Sequence, residues 1–323
     1  MATPSPTPSG ASDPVEEGFQ GGGQEFPICP LCKNREATGF SYCTFCCNAC
    51  KMFFRRTLQK EVITQDRSLE RFEKCIQAGM NYIPTENLLD VKNKKYLSAF
   101  LTNLKYLEEH RQSQLRGCYY IGNPTVEEIA QLEGPIEFIK RPENFPMFLS
   151  DWVFITGMVS LNYLKQFTHA HLLNHSDRAH LLKHTFLDFS VFMDAMRVYQ
   201  QKQDRTTVQP VLAGVPQEFL NGLRCRLAGR IEELKVTKEE FSLLSLVLFC
   251  NPALPNISDA GQVILNTYRQ IYRHALLQHC LINYELDGPA RLTDLLSIYH
   301  IIIQTRHDLL NLFTYKSDFF RAL

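Results

Sequence analysis

Six cysteines between positions 29 and 50 are the side chains of this chain best suited to chemistry, and their spacing indicates which chemistry. Cys29 and Cys32 form one CxxC pair, Cys47 and Cys50 a second, with 14 residues between Cys32 and Cys47. Each CxxC turn places two sulfurs on one side of a tight knuckle, and four soft thiolates suit a tetrahedral Zn2+. Cys46 and Cys43 compete for the third position. Cys47 is preferred because it makes a CxxC with Cys50, whereas Ala49 lies three residues beyond Cys46. No histidine precedes His110, so no mixed Cys/His set is available. The seven cysteines up to Cys75 fall short of the eight ligands of a cross-braced double site. One Zn2+ site is expected.

The element that must hold the second pair is a helix, expected from about Asn48 to Gln59. Met52, Phe53 and Leu58 are expected to pack on the knuckle, with Phe54 shared. Lys51, Arg55, Arg56 and Lys60 supply positive charge with no acid between them. Helical spacing puts 48, 51 and 55 on one face, with 52 and 56 beside it.

The stretches ATGFSY, CNACK and FFRR around these cysteines resemble the first zinc finger of a nuclear hormone receptor DNA-binding domain, most of all that of the divergent receptors expanded in nematodes. In that family the fourth cysteine lies inside a helix that enters the major groove. The resemblance therefore implies double-stranded DNA as partner and the nucleus as location. Asn48 and Lys51 would reach base edges, and Arg55 and Arg56 would serve base or phosphate contacts. Cys32 and Cys47 stand one residue further apart than is common there. The family's closing motif is present as RFEKCIQAGM, Arg71 to Met80, with Cys75 at a non-ligand position. The two preceding ligand positions hold Arg67 and Glu70, and Gln59 to Leu69 contains no cysteine. The second zinc site is absent, and with it are expected to go a helix that buttresses the reading helix, phosphate contacts and a dimer contact.

The 323-residue length suits about two domains, and 45% hydrophobic residues suffice for a packed core. Formal net charge is zero, so the whole chain does not attract nucleic acid. Residues 1–25 carry −4; residues 26–80 carry nine Lys/Arg and five Asp/Glu, hence +4 with neutral cysteines. A tetrathiolate zinc is itself −2 and leaves about +2, a weak field whose DNA affinity is modest and salt-sensitive. Eleven cysteines, an odd number clustered in zinc spacing, do not form a disulfide framework. No apolar run reaches the roughly 18 residues of a membrane span, so no membrane partner is expected.

Residues 1–25, rich in Pro, Ser, Thr and Gly, are expected as a disordered tail. A zinc-finger module at 26–80 and a hinge at 81–95 follow. A helical domain spans 96–323, its first helix expected over about 88–114. Residues 118–150 read as irregular, broken by Pro124, Gly134-Pro135, Pro142 and Pro146. Asp151 to Ala170 is an apolar helix, and a turn at 174–176 leads to another helix reaching about Gln203. Thr237 to Glu240 is a capping box before FSLLSLVLFC. Ser258 caps a helix to about Tyr284, Gly288-Pro289 breaks it, and Ala290 to Phe313 forms the last helix. A small hairpin within 200–216 is admitted. The fold class is mainly α: a small zinc-finger module followed by a layered helical bundle.

Lys165, at the end of one helix, and Asp177-Arg-Ala-His-Leu-Leu-Lys183, opening the next, resemble the signature of the nuclear receptor ligand-binding domain. The resemblance implies that Lys165 and Lys183 flank a groove for the helix of a transcriptional coregulator. GPARLTDLLSIYHII resembles the family's dimerisation helix, implying a homodimer or a heterodimer with another nuclear receptor. A lipophilic ligand of unspecified identity is admitted. Large residues at the implied cavity (Trp152, Phe154, Phe186, Phe189, Phe192, Tyr268, Tyr272) are expected to fill it. Near the end of the sequence, Phe319, Phe320 and Leu323 offer an apolar face without the acidic residue of the family's switch helix. His169, His171, His175, His180 and His184 are read as polar faces and interhelical hydrogen bonds rather than metal ligands. Cys118, Cys225, Cys250 and Cys280 are read as core packing. No phosphate loop, GxSxG or supported acid pair points to an enzyme. The leading reading is a zinc-dependent, DNA-binding transcription regulator of nuclear receptor type. Its alternative is a receptor-like module that binds no DNA and regulates other receptors by heterodimerisation.

Overall fold

A computed structural model describes residues 27–59, 66–85, 88, 94–142, 149–204 and 217–315. The tail at 1–25 and the apolar face at 319–323 lie outside these residues, as does the hairpin admitted within 200–216 apart from 200–204, which are helical.

A two-stranded antiparallel hairpin, β1 (Gly39–Ser41) and β2 (Thr44–Cys46), leads into α1 (Asn48–Leu58). The two-residue turn Tyr42-Cys43 has both φ values positive, +55° and +65°. That is the left-handed pair a tight hairpin requires, usually supplied by Asn-Gly. Neither residue favours it, at a cost of about 1–2 kcal/mol each. The turn persists because Asn81 N–H donates to the Tyr42 carbonyl at 2.9 Å and Cys43 is buried.

The helices that follow are α2 (Asp66–Gln77), α3 (Lys94–Gly117), α4 (Val126–Gln131), α5 (Leu149–Lys165), α6 (Thr168–Leu172), α7 (His175–Asp204), α8 (Gln217–Glu233), α9 (Lys238–Phe249), α10 (Asp259–Tyr284) and α11 (Gly288–Tyr315). Strands β3 (Cys118–Tyr119) and β4 (Ile139–Lys140) form a second small antiparallel pair flanking α4. The described part of this stretch, 118–142, thus holds more regular structure than expected. Thr125 and Glu128 close a reciprocal capping box that starts α4 despite the surrounding prolines. The first long helix is described from Lys94 to Gly117, residues 89–93 of its expected start lying outside the described residues, and Gly288-Pro289 opens the last helix just after α10 ends. Proline fits the first helical turn, where its missing N–H is not needed.

Helices α7 and α9 form the middle of the bundle, with α3 and α5 packed on one side and α8, α10 and α11 on the other. Residues 240–250, the body of α9 and its C-cap, are all buried, as a helix apolar around its circumference must be. Thr237 and Glu240 make the expected capping box. Ser258 caps α10 by accepting from Gly261 N–H at 3.1 Å and joins a wider network, its own N–H and hydroxyl donating to Asp177 at 2.8 and 2.5 Å. Gly261 is needed there, because a Cβ would lie 2.5 Å from the Asp177 carboxylate.

Candidate zinc centre and nucleic-acid interface

Cys29 opens the first knuckle, where its N–H donates to Arg35 O at 2.8 Å and its carbonyl accepts from Lys33 N–H at 2.9 Å. Cys47 is the N-cap of α1 and Cys50 lies in its first turn, with Cys50 N–H donating to Cys47 O at 3.0 Å. These elements bring the sulfurs of Cys29, Cys32, Cys47 and Cys50 within 4.8 Å of one another, and Cys32 Sγ lies 3.8 Å from Cys47 Sγ. Four sulfurs about 2.3 Å from a tetrahedral zinc are separated by roughly 3.8 Å. The donor set therefore fits Zn2+ in number, softness and spacing. Among the described residues no other group of three or more His, Cys, Asp or Glu is so placed.

Without a cation these thiols do not ionise together. Burial pushes Cys50 up to about 12. At Cys29 burial also opposes ionisation, but the backbone around Cys32, Cys47 and Leu31 outweighs it and holds the thiol near 7. Four thiolates this close need a cation to offset their repulsion. The rivals stand elsewhere. Cys46 Sγ lies 4.0 Å from Ser41 O, and burial pushes it up to about 11. Cys43 is turned against Thr168 of the helical bundle, where burial pushes it up to about 12.

The buried face of α1 is Cys50, Phe54, Thr57 and Leu58. Its outward face presents Asn48, Met52 and Arg56 exposed, with Lys51 and Arg55 half-buried beside them. Met52 departs from the expectation of packing on the knuckle: it is 36% exposed, because α2 covers the opposite side. Thr38 Oγ1 donates to Asn48 Oδ1 at 3.2 Å and orients that amide. Helix α1 has no acid in its first turn and carries Arg55 and Arg56 in its last, where the helix dipole favours cations.

The expected loss of a buttressing helix is overturned. α2, without zinc ligands of its own, packs against α1. Phe72 stacks on Phe54 with centroids 5.1 Å apart and planes at 15°. Arg71 lies 4.2 Å over the Phe53 ring, and its Nη2 is 3.8 Å from Cys50 Sγ. The arrangement needs only helical periodicity and an aromatic at 72, not a second metal.

The two lysines assigned to a coregulator groove meet different fates. Lys183 is exposed and lies 3.3 Å from Glu127 of α4. Lys165 is 3% exposed, and its ammonium donates to Gly134 O at 2.6 Å just beyond α4. It does not face an open groove. Burial, then the neighbouring Arg178, hold it down at about 8. Arg178 itself donates to the carbonyls of Ala130, Ala170, His171 and Leu173. The chain's own 125–136 segment thus covers Lys165 and pairs with the exposed Lys183 through Glu127, and nothing in the local sequence signals it.

Of the large residues at the implied cavity, Phe189, Phe192 and Tyr272 are fully buried, whereas Trp152, Phe154, Phe186 and Tyr268 are partly so. A separate cleft of about 190 Å³ lies between α7, α9 and α11, with Asp188 and Arg306 in its lining. His169 serves an interhelical hydrogen bond, with Nδ1 3.0 Å from the Tyr272 hydroxyl, and burial pushes it down to about 3. Cys250 and Cys280 are core residues as expected; Cys225 is exposed and Cys118 half-buried, contrary to that expectation.

Comparison with known proteins agrees with this geometry. The family described as "Ligand-binding domain of nuclear hormone receptor" matches residues 147–313, and "Double treble clef zinc finger, C4 type" matches residues 27–69. Nuclear hormone receptor family member nhr-167 of Caenorhabditis elegans is 30% identical over 311 residues, covering 88% of this chain and 90% of that protein. Member nhr-27 of the same organism is 28% identical over 314 residues, covering 88% and 86%. Member nhr-9, also from Caenorhabditis elegans, is 30% identical over 296 residues, covering 85% and 86%.

Proposed function

Since the chain belongs to the nuclear hormone receptor family, with a C4 zinc finger ahead of a ligand-binding domain, we propose that it regulates transcription in the nucleus by reading duplex DNA through α1. One Zn2+, held by Cys29, Cys32, Cys47 and Cys50, locks the start of α1 and so sets its angle. Asn48 and Lys51 then face base edges: the amide suits adenine and the ammonium suits the O6 and N7 acceptors of guanine. Arg55 and Arg56 serve bases or phosphates. The observation that carries this reading is the two-sidedness of α1. Phe54 and Leu58 are buried inside the protein, and the outward face carries an amide and cations around Met52, without an acid.

The heterodimerising module that binds no DNA is the weaker reading, because its premise was a reading helix without support, and α2 supplies that support. Dimerisation is proposed through α11, whose outward residues include Asp294, Ser297, His300 and Gln304. A face this polar makes a wet, weak interface rather than an obligate one. Coregulators are the proposed partners of the α4–α7 side, at Lys183 and beside Lys165.

The test is fluorescence anisotropy of the full chain on a randomised duplex pool and on sequences enriched from it, at 50 and at 200 mM salt as working points, with Cys50→Ala as control. Sequence-selective binding that weakens with salt and is lost in the control is expected. Equal, weak binding of both proteins to any sequence overturns the reading.

A further inference from the structure

A zinc knuckle with one 11-residue helix is too small to build its own core. The buried face of α1 therefore needs an opposing surface, and the structure shows which one. A chain of rings leaves the knuckle at Tyr42, passes to Phe54 at 5.0 Å, to Phe72 at 5.1 Å, and to Tyr106 of α3 at 4.9 Å. Tyr106 belongs to the first long helix of the bundle. The zinc module and the helical body consequently share one apolar core, from Cys29 and Phe54 to Leu276 and Ile302.

Polar contacts run in parallel with the rings. Thr44 Oγ1 donates to Ala78 O at 3.1 Å. Asn81 is 2% exposed, at the start of the stretch where a hinge is expected. Its N–H donates to Tyr42 O, and its side-chain amide donates to Gln166 O, at the α5–α6 junction, at 2.6 Å. Asn103 of α3, fully buried, donates to Asn81 Oδ1 and accepts from Tyr82 N–H at 3.2 Å. Gly79, with φ +88°, lets the chain pass Pro135 so closely that a Cβ would lie 3.1 Å from that ring. Buried amides paired through both side-chain atoms specify one arrangement, since any other leaves polar groups unpaired. They also hold the left-handed Tyr42-Cys43 turn, which nothing local favours.

We propose that the helical body takes the place of a second zinc module, with Asn81, Asn103 and Tyr106 as positioning residues for the DNA-reading helix, so that zinc centre and bundle form one cooperative unit. Whatever changes the α5–α6 junction at Gln166 then changes the support of α1, and zinc occupancy changes the stability of the bundle. The effect on DNA rests on the reading of α1 given above; the coupling of zinc to bundle does not.

The only tryptophan, Trp152, reports on the bundle alone. It lies in α5, packed beside Leu115, Ile155 and Val159 with Arg197 over its ring. Thermal unfolding of the full chain is followed by Trp152 fluorescence with and without a strong zinc chelator. Chelation is expected to lower the Trp152 midpoint by about 5 °C or more, by loss of a ligand that binds only the folded unit. Tyr106→Leu and Asn81→Ala are expected to keep one zinc per chain but to shrink that chelator-dependent shift, and to weaken duplex binding about tenfold or more. A merely destabilising substitution would lower both midpoints equally and leave their difference intact; that result, with wild-type DNA affinity, overturns the positioning roles. A Trp152 midpoint unmoved by chelation in the wild type overturns the proposal outright, and this arm needs no variant to fold. A shifted midpoint in a protein that binds no duplex supports the coupling and refutes only the reading of α1.

Discussion

Arg291 of α11 grips Glu240 of α9 with two prongs: Nε and Nη2 lie 2.7 and 2.6 Å from the two carboxylate oxygens, in a place where Glu240 is fully buried. Arg291 Nη1 also donates to Leu234 O at 2.7 Å, and Glu240 still closes its capping box with Thr237 N–H at 2.9 Å. One carboxylate therefore starts α9 and ties it to α11. Arg291→Leu leaves that carboxylate buried and unpaired, and is expected to cost about 3–5 kcal/mol in urea unfolding. The double variant Glu240→Gln with Arg291→Leu is expected to recover part of this. A double-variant loss equal to the sum of the two single-variant losses would show that the pair contributes no coupling.

The same carboxylate gives a pH dependence with a definite sign. Burial alone would raise its pKa, but the Arg291 hydrogen bonds, the Thr237 N–H and the Arg291 charge outweigh it and hold it below the usual 4.5. A folded-state pKa below the unfolded one adds stability that is complete above about 4.5 and is lost as pH falls through the folded value. Urea midpoints taken from pH 6 down to 3 should fall more steeply for the wild type than for Glu240→Gln.

Lys165 predicts the opposite limb. Its ammonium is held down at about 8 by burial, then by Arg178, against the usual 10.5. Between those values the unfolded chain binds more protons than the folded one, so stability rises with pH across that window. Lys165→Met is expected to remove this rise. Urea midpoints at pH 7.5 and pH 9.5 should converge in the variant and differ in the wild type.

The zinc centre makes a prediction that separates neighbours. Cys47→Ser and Cys50→Ala are expected to lose stoichiometric zinc, measured by elemental analysis and by the thiolate-to-cobalt absorbance after cobalt substitution. Cys46→Ser and Cys43→Ser are expected to retain it, because those sulfurs lie outside the group of four. Loss of zinc from Cys46→Ser would reassign the third ligand.

On DNA, Lys51→Ala at a base contact is expected to cost about 1–3 kcal/mol and to relax selectivity at one position. Arg56→Ala, if it meets phosphate, weakens all sequences alike and lowers the salt slope by roughly one. Titrations of both variants against selected and scrambled duplexes at several salt concentrations distinguish the two roles.

Much of this molecule is legible along the chain because the signals are local. Two CxxC pairs bring their own sulfurs together within a few residues, which is why Cys29, Cys32, Cys47 and Cys50 could be named from spacing. A side-chain oxygen at the N-cap satisfies a free N–H of the first turn, so Thr237, with Glu240 three residues on, and Ser258, which accepts from Gly261 N–H, marked the starts of α9 and α10. The same signal at Thr125 and Glu128 was legible and was masked by the prolines around it. Helical periodicity gave the bundle, because an apolar stripe must be buried against something.

What that something is, only the tertiary structure decided. Periodicity says that Phe54 and Phe72 are buried, not that they stack on each other and pass the contact to Tyr106, 52 positions from Phe54 in the sequence. Spacing cannot show that α2 buttresses α1 without a metal, nor that Lys165 is closed over by Gly134 rather than open to a partner. The left-handed turn at Tyr42-Cys43 has no local cause; its partner Asn81 is supplied by a later segment. The reason is common to all of these. A local signal is set by the few residues that touch through the backbone, whereas which face meets which depends on elements brought together by the whole chain, and their contact energies outweigh the small local preferences they override.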